Sequence, residues 1–138
     1  NKHRMRATLF IALFFTFPSM VKAEKTHVYT CIDRKTNAEH IITAISGYKL
    51  INTINTGHSF DYSLDYINQN ELHATLYMNK VNERKKFTIK IDRKNLVMYD
   101  TMHMWTYTER PDYDSLEHKQ YLTKIDSRIF DCKPNRTE

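Results

Sequence analysis

The stretch SFDYSLDYINQNELHATLYM, residues 59–78, decides the fold class because apolar and polar side chains alternate along it. Strict alternation over four to eight residues is typical of a β-strand with one side in the core and the other in solvent. The apolar positions predicted to share the core side are Phe60, Tyr62, Leu64, Tyr66, Leu72, Ala74, Leu76 and Met78. The stretch therefore predicts two half-buried strands in succession.

A third alternating segment, Phe87–Ile91, follows, and the breaks at Asn68–Asn70 and Asn79–Glu83 are rich in asparagine. Asparagine tolerates positive φ and can close a turn in a chain with only two glycines. The three segments predict consecutive antiparallel strands. We interpret the basic run Arg84–Lys86 as a solvated turn between two of them; the alternative is a patch that binds phosphate or a glycan.

Segments rich in β-branched and aromatic residues on either side add further strands. They are Val28–Ile32, His40–Ile45, Tyr48–Ile54, Leu96–Tyr99, Met102–Thr108 and Tyr121–Phe130. Arg110–Lys119 contains a proline and several acids, which favours a loop. About eight short strands in so small a chain predict an all-β fold, a small antiparallel barrel or sandwich.

The first 23 residues have the pattern of a secretory signal peptide: a basic start, an apolar run at Ala7–Phe17 and small residues before a cleavage site after Ala23. The apolar run of 11 residues is too short for a spanning helix, which needs about 20. We therefore expect residues 24–138 to form a single β-rich domain that is secreted or periplasmic, with no membrane span after cleavage.

The net charge of +5 comes mainly from this leader. Residues 24–138 hold 17 basic and 16 acidic residues, a charge of about +1. A nucleic-acid-binding domain carries a broad basic surface, so we expect no nucleic-acid partner.

The two cysteines, Cys31 and Cys132, stand near the two ends of the predicted domain. An even cysteine count in an exported chain predicts a disulfide, here between the first and last strands. The alternatives are a redox pair or two metal thiolates, but no C-x-x-C motif and no histidine cluster at ligand spacing accompanies them.

Compact catalytic motifs are missing from the sequence. No G-x-S-x-G elbow and no glycine-rich phosphate loop occurs, and the six histidines after the leader are scattered. We predict no metal, no cofactor and no catalytic residues. A hydrolase whose site is assembled across strands is the enzymatic alternative, with the acidic pairs Asp61/Asp65 and Asp112/Asp114 as its weak candidates.

The segment Met102–Glu109 offers a candidate recognition face, because one parity holds His103, Trp105 and Tyr107 and the other holds two methionines. If the methionines fill the core, the aromatic side chains face outward in a composition that protein-contact hot spots favour. If the aromatic side chains fill the core instead, this surface does not exist.

Tyr29–Cys31, just after a signal peptide and with a second cysteine near the end, resembles small periplasmic lysozyme-inhibitor barrels. The inhibitory loop of that family has no match here. Trp105–Cys132, with its Tyr121–Thr123 and Phe130–Cys132 tripeptides, is similar to surface-adhesin domains of Gram-negative bacteria. Both resemblances imply a non-enzymatic protein that binds a macromolecule.

We accordingly expect a binding protein whose partner is another protein or a component of the cell envelope. The nine tyrosines of the chain support an alternative, a barrel that holds a small ligand in a tyrosine-lined cavity. Asn135 begins an Asn-Arg-Thr glycosylation sequon, which is used only in a eukaryotic source.

Overall fold

The computed structural model describes residues 25–107 and 120–135, which form eight antiparallel strands in a closed barrel. Each strand pairs with the next along the chain, and the first pairs with the last. The prediction of an all-β fold of about eight strands is confirmed, and the architecture is a barrel rather than a sandwich. The strands are β1 (Thr26–Asp33), β2 (Glu39–Ile45), β3 (Lys49–Ile54), β4 (Ser59–Ile67), β5 (Glu71–Lys80), β6 (Glu83–Asp92), β7 (Val97–Tyr107) and β8 (Gln120–Asn135).

The predicted disulfide is confirmed and lies at the closing seam of the barrel. Cys31 on β1 stands directly opposite Cys132 on β8 and is bonded to it, with 101 positions between them in the sequence. The bond therefore fixes the one strand pair that brings the two ends of the sheet together.

The core fills the barrel interior with side chains of one parity from each strand. Its fully buried members come mainly from the middle of the strands, where alternation places every second side chain inside. They include Cys31, Ile42, Ala44, Leu50, Leu72, Ala74, Ile89, Ile91, Met98 and Phe130.

The prediction that Tyr66 lies on the core side of β4 is wrong. The register between β4 and β5 shifts between Leu64 and Tyr66, so Asp65 is an extra residue in the strand. A β-bulge of this kind reverses the side on which the following residues lie. Tyr66 is therefore outside, 42% exposed, where its hydroxyl donates to Oε1 of Glu71 and its ring stacks on His73.

Two further predictions about strand ends are wrong. The basic run Arg84–Lys86 lies within β6 and not in a turn, because β5 and β6 pair as far as Lys80 and Glu83. The segments Leu96–Tyr99 and Met102–Thr108 were predicted as separate strands, but β7 continues through both of them up to Tyr107. Register with β6 is unbroken along this length, whereas the register with β8 shifts between Met104 and Trp105.

Asparagines close two of the turns by different means. Asn37, between β1 and β2, has a φ of 60°, which its short polar side chain tolerates. Asn68 instead accepts hydrogen bonds at Oδ1 from the backbone N–H groups of Asn70 and Glu71. The second turn is thus held by a side chain that imitates a backbone carbonyl.

The two ends of the barrel differ. At the end that carries the turns after β2, β4 and β6, here called the closed end, Arg93 donates from Nε to the hydroxyl of the buried Tyr29 at 2.9 Å and from Nη1 to the Asn68 carbonyl. These bonds tie three parts of the chain together across the interior. The opposite end, with the turns after β1, β3 and β5, is here called the open end.

The predicted leader, residues 1–23, and the predicted loop at Arg110–Lys119 lie outside the described residues. Asn135, the first residue of the sequon, is the last residue of β8, and its Oδ1 accepts a hydrogen bond from Thr30 at 2.9 Å. Within the described ranges, no helix is both long and apolar enough to cross a membrane.

Candidate functional site

A cavity of about 390 Å³ occupies the interior of the barrel and opens at the open end. Most of its wall is apolar, contributed by Ala38, Ile54, Phe60, Leu76, Met78 and Phe87. Its polar lining consists of His40, Asn52, Asn55, Tyr62, Asp100 and Arg128. A cleft of this size, mainly apolar with a few convergent polar groups, has the form of a small-molecule site.

His40 and Asn52 form a buried hydrogen-bonded pair at the cavity, since both side chains are at least 96% buried. Nδ1 of His40 lies 3.0 Å from Oδ1 of Asn52. An amide oxygen only accepts, so Nδ1 carries the proton and Nε2 of the neutral ring is an acceptor. Burial lowers the pKa of His40, which keeps the ring neutral at neutral pH.

Asp100 and Arg128 are the two charged side chains of the lining and neutralise each other. Nη2 of Arg128 donates to Oδ2 of Asp100 at 2.7 Å, with Asp100 only 5% exposed and Arg128 47% exposed. Burial raises the pKa of Asp100 in spite of this partner. Because one hydrogen bond engages a single nitrogen of Arg128, other guanidinium N–H groups remain to bind a ligand acceptor.

Tyr62 projects from β4 into the same cavity and is 4% exposed. Burial, followed by the nearby Asp100 charge, raises the pKa of Tyr62 to about 12. The hydroxyl is therefore always protonated under ordinary conditions and serves as a hydrogen-bond donor.

The polar lining of the cavity supplies hydrogen-bond donors and acceptors. Serine, threonine, cysteine and lysine do not occur among the described lining residues. Cys31, which stands opposite His40 on β1, is held in the disulfide. The described part of the chain also contains no group of three or more His, Cys, Asp or Glu side chains placed to hold a metal ion.

The predicted recognition residues lie away from this cavity. Met98 and Asp100 are buried on β7, and along the register with β6 His103, Trp105 and Tyr107 lie on the opposite side of the strand from them, while Met102 and Met104 share their side. The register with β8 shifts between Met104 and Trp105, and all five side chains are partly buried. The rings of His103 and Trp105 stack with their centroids 5.8 Å apart, and the side chains of this segment are partly buried.

The sequence analysis missed the polar residues of the cavity, although the sequence carries a signal for them. His40 shares a parity with Ile42 and Ala44, Asn52 with Leu50, and Asp100 with Met98. A polar residue on the apolar side of an alternating strand is the feature that marks a buried polar group. The tyrosine-lined cavity was anticipated only in general form, without Tyr62 being singled out.

No protein-family model, no curated protein and no solved structure matches this chain. Function is therefore inferred from the barrel itself and the side chains that it positions.

Proposed function

We propose that the barrel binds one small amphipathic molecule in the cavity at its open end. The observation that carries the proposal is the combination of about 390 Å³ of open interior space, an apolar wall and a group of hydrogen-bonded polar side chains. This group, here called the polar floor, consists of His40, Asn52, Tyr62, Asp100 and Arg128. Eight-stranded barrels are just wide enough to hold a single small ligand in this way. The apolar part of the ligand would pack against Phe60, Leu76 and Phe87.

The polar group of the ligand is uncharged in this proposal. Asp100 and Arg128 already neutralise each other, and His40 is neutral, so the floor has no net charge to offer an ionised group. An unpaired charge in such a site would lose its hydration without compensation. A hydroxyl or carbonyl, in contrast, finds donors on Tyr62 and Arg128 and an acceptor at Nε2 of His40.

Competition between three ligands of equal chain length tests the proposal. N-phenylnaphthylamine, a neutral apolar dye, would fluoresce on entering the cavity, and octanol, octanoate and octylamine would compete for the site. We expect octanol to displace the dye at the lowest concentration. Octanoate or octylamine displacing it equally well would contradict the uncharged polar group.

Three variants locate the binding. Met78→Trp places a large ring at the cavity mouth and should abolish dye binding, whereas Thr88→Trp, on the outer side of β6, should leave it unchanged. Tyr62→Phe keeps the ring and removes the hydroxyl, so octanol affinity should fall about fivefold, the effect of roughly one hydrogen bond. Dye binding that ignores Met78→Trp would refute the site.

A second function, contact with a macromolecule through the outer side of β7, is favoured by a separate observation. Large apolar side chains of the neighbouring β8 are exposed beside Trp105 and His103, among them Leu122 at 50% and Ile125 at 57%. Exposed apolar side chains that cluster in this way mark contact surfaces. Affinity capture with wild type, Trp105→Ala and Tyr107→Ala tests it; a partner bound equally by all three would exclude this surface.

A further inference from the structure

A pair of cations on the outer side of β6 is held between aromatic rings. Because Ile89 and Ile91 are fully buried, alternation places Arg84 and Lys86 outside. Lys86 stands opposite Tyr77 on β5 and His103 on β7, and Arg84 stands opposite Trp105. The cation pair thus lies in the middle of a three-strand surface with aromatic side chains on both sides.

The aromatic rings position the two cations. The guanidinium carbon of Arg84 lies 4.4 Å from the ring centroid of Tyr77, and Nζ of Lys86 lies 5.9 Å from the same centroid. Cation–π contacts at these distances restrict long side chains that would otherwise move freely in solvent. Both cations are partly buried, while Tyr77 is 48% exposed. The side chains of Arg84 and Lys86 are therefore partly ordered before a ligand binds, which lowers the conformational entropy that binding costs.

The charge of this pair is not compensated within residues 25–107 and 120–135. None of the ion pairs in these ranges includes Arg84 or Lys86, whereas Lys90, farther along the same side of β6, is paired with Glu71 at 3.4 Å. In the same ranges, Nε of Arg84 and Nδ1 of His103 are buried without a hydrogen-bond partner. Buried polar atoms without a partner are rare in native structures, so the guanidinium of Arg84 has a donor that the described residues leave unused, while Nδ1 of His103 is a donor or an acceptor according to its tautomer.

We propose that this surface binds an anionic polysaccharide, and the proposal rests on the second function above, contact with a macromolecule at β7. Sulfate or carboxylate groups would pair with Arg84 and Lys86, and the C–H side of a sugar ring would pack on Trp105, because aromatic faces are electron-rich. The surface is the open side of a sheet, which suits an extended chain. The small net charge of residues 24–138, about +1, argues against a nucleic acid, which needs a broad basic surface.

Titration with dextran sulfate, compared with uncharged dextran, tests the proposal on the full domain. Trp105 is the only tryptophan in the chain, so its fluorescence reports binding at this surface directly. We expect dextran sulfate to bind, with an affinity that falls as salt is added, and we expect dextran not to bind. Binding of dextran with equal affinity, or no binding of dextran sulfate, would overturn the proposal.

Matched variants assign the site. The double substitution Arg84→Met with Lys86→Met keeps the aliphatic stems and should weaken binding of dextran sulfate at least tenfold. Lys90→Met removes one charge from the same side of the same strand but from a paired lysine, so the affinity should change less than twofold. Equal losses in the two variants would show a diffuse charge effect and refute the site.

Two controls distinguish saccharide binding from a folding defect and from binding of other polyanions. Arg84→Lys keeps the charge if Arg84→Met impairs folding, and it should retain binding within about threefold. Polyglutamate is a polyanion without sugar rings, and single-stranded poly(dT) is a polyanion that carries bases. If either one binds as tightly as dextran sulfate, the saccharide is refuted as the ligand. If only the saccharide fails, a partner lost on Trp105→Ala would still support the second function.

Discussion

We predict that substitutions of Asp100 and of Arg128, the two members of one ion pair, change the free energy of unfolding differently. Asp100→Asn should leave the free energy of unfolding at neutral pH unchanged or slightly higher, whereas Arg128→Met should lower it. The reason is that burial, with the neighbouring Asp126 acting in the same direction, raises the pKa of Asp100 even beside its partner. The ionised carboxylate is therefore less favourable in the barrel than in the unfolded chain.

The expected magnitudes follow from the exposure of the two side chains. Removing one partner of a fully buried ion pair costs about 3–5 kcal/mol because a buried charge is left alone. Arg128 is 47% exposed, so solvent screens part of its interaction, and we expect Arg128→Met to cost about 2–3 kcal/mol. Asp100→Asn removes the buried charge and keeps an oxygen that accepts from Arg128, so its effect should lie between about 0 and 1 kcal/mol of added stability.

The pH dependence has a definite sign. A carboxyl group with a raised pKa in the folded state stabilises the fold fully below its unfolded value of 3.8, and this contribution is lost as pH rises through the folded value. Wild type and Asp100→Asn should therefore be equally stable in acid, and the variant should gain relative to wild type as the solution approaches neutrality. Comparing the two proteins cancels the titrating groups that do not interact with Asp100; His40 and Tyr62 do interact with it.

Urea unfolding followed by fluorescence, for wild type, both single variants and the double variant, checks this reasoning. The double variant lacks both charges and should recover most of the stability that Arg128→Met loses, since no buried charge remains unpaired. If Asp100→Asn destabilises the barrel as much as Arg128→Met does, the ion pair is net stabilising and our interpretation of the floor is wrong.

Three further predictions concern the frame of the barrel. Reducing the Cys31–Cys132 disulfide should lower the free energy of unfolding by up to about 4.7 kcal/mol for a loop of this length, as measured by denaturation with and without reductant. Asn37→Gly should change stability by less than about 0.5 kcal/mol and Asn37→Val should destabilise by about 1–2 kcal/mol, because positive φ strains a β-branched residue; calorimetry distinguishes them. Arg93→Met should cost about 1–2 kcal/mol by removing its bonds across the closed end, and a melting temperature equal to that of wild type would contradict this.

The fold could be predicted from the sequence because the information is local. Alternation in β5 and β6 places Leu72, Ala74, Ile89 and Ile91 on the buried side, and all four are fully buried. The disulfide could be predicted from two cysteines near the ends of a domain whose leader pattern predicts export. Both signals depend only on residue type and spacing, so neither needs knowledge of which strands meet.

Features that depend on cross-strand partners were not predictable. The bulge at Asp65 breaks no pattern in β4 itself, and its Oδ2 accepts from His73 and Thr75 on the neighbouring strand at 2.7 Å. Likewise, the run Arg84–Lys86 has the composition of a turn, but pairing on both sides keeps it in β6. In each case the register with a neighbour decides the conformation.

The polar floor of the cavity depends both on the local sequence pattern and on which strands pair. His40, Asn52 and Asp100 each interrupt an apolar parity, a local conflict that is visible in the sequence, but only the closed barrel brings them to one cavity. Such conflicts lower stability unless the groups satisfy one another, and here they do so only in part, since Arg128 keeps donors and His40 keeps an acceptor toward open space. The closed-end side of the core is filled by Leu50, Leu72, Ile91 and Met98, and its polar contacts are those of Arg93 with Tyr29 and Asn68. The convergence of His40, Asn52 and Asp100 on one cavity supports the proposed ligand site.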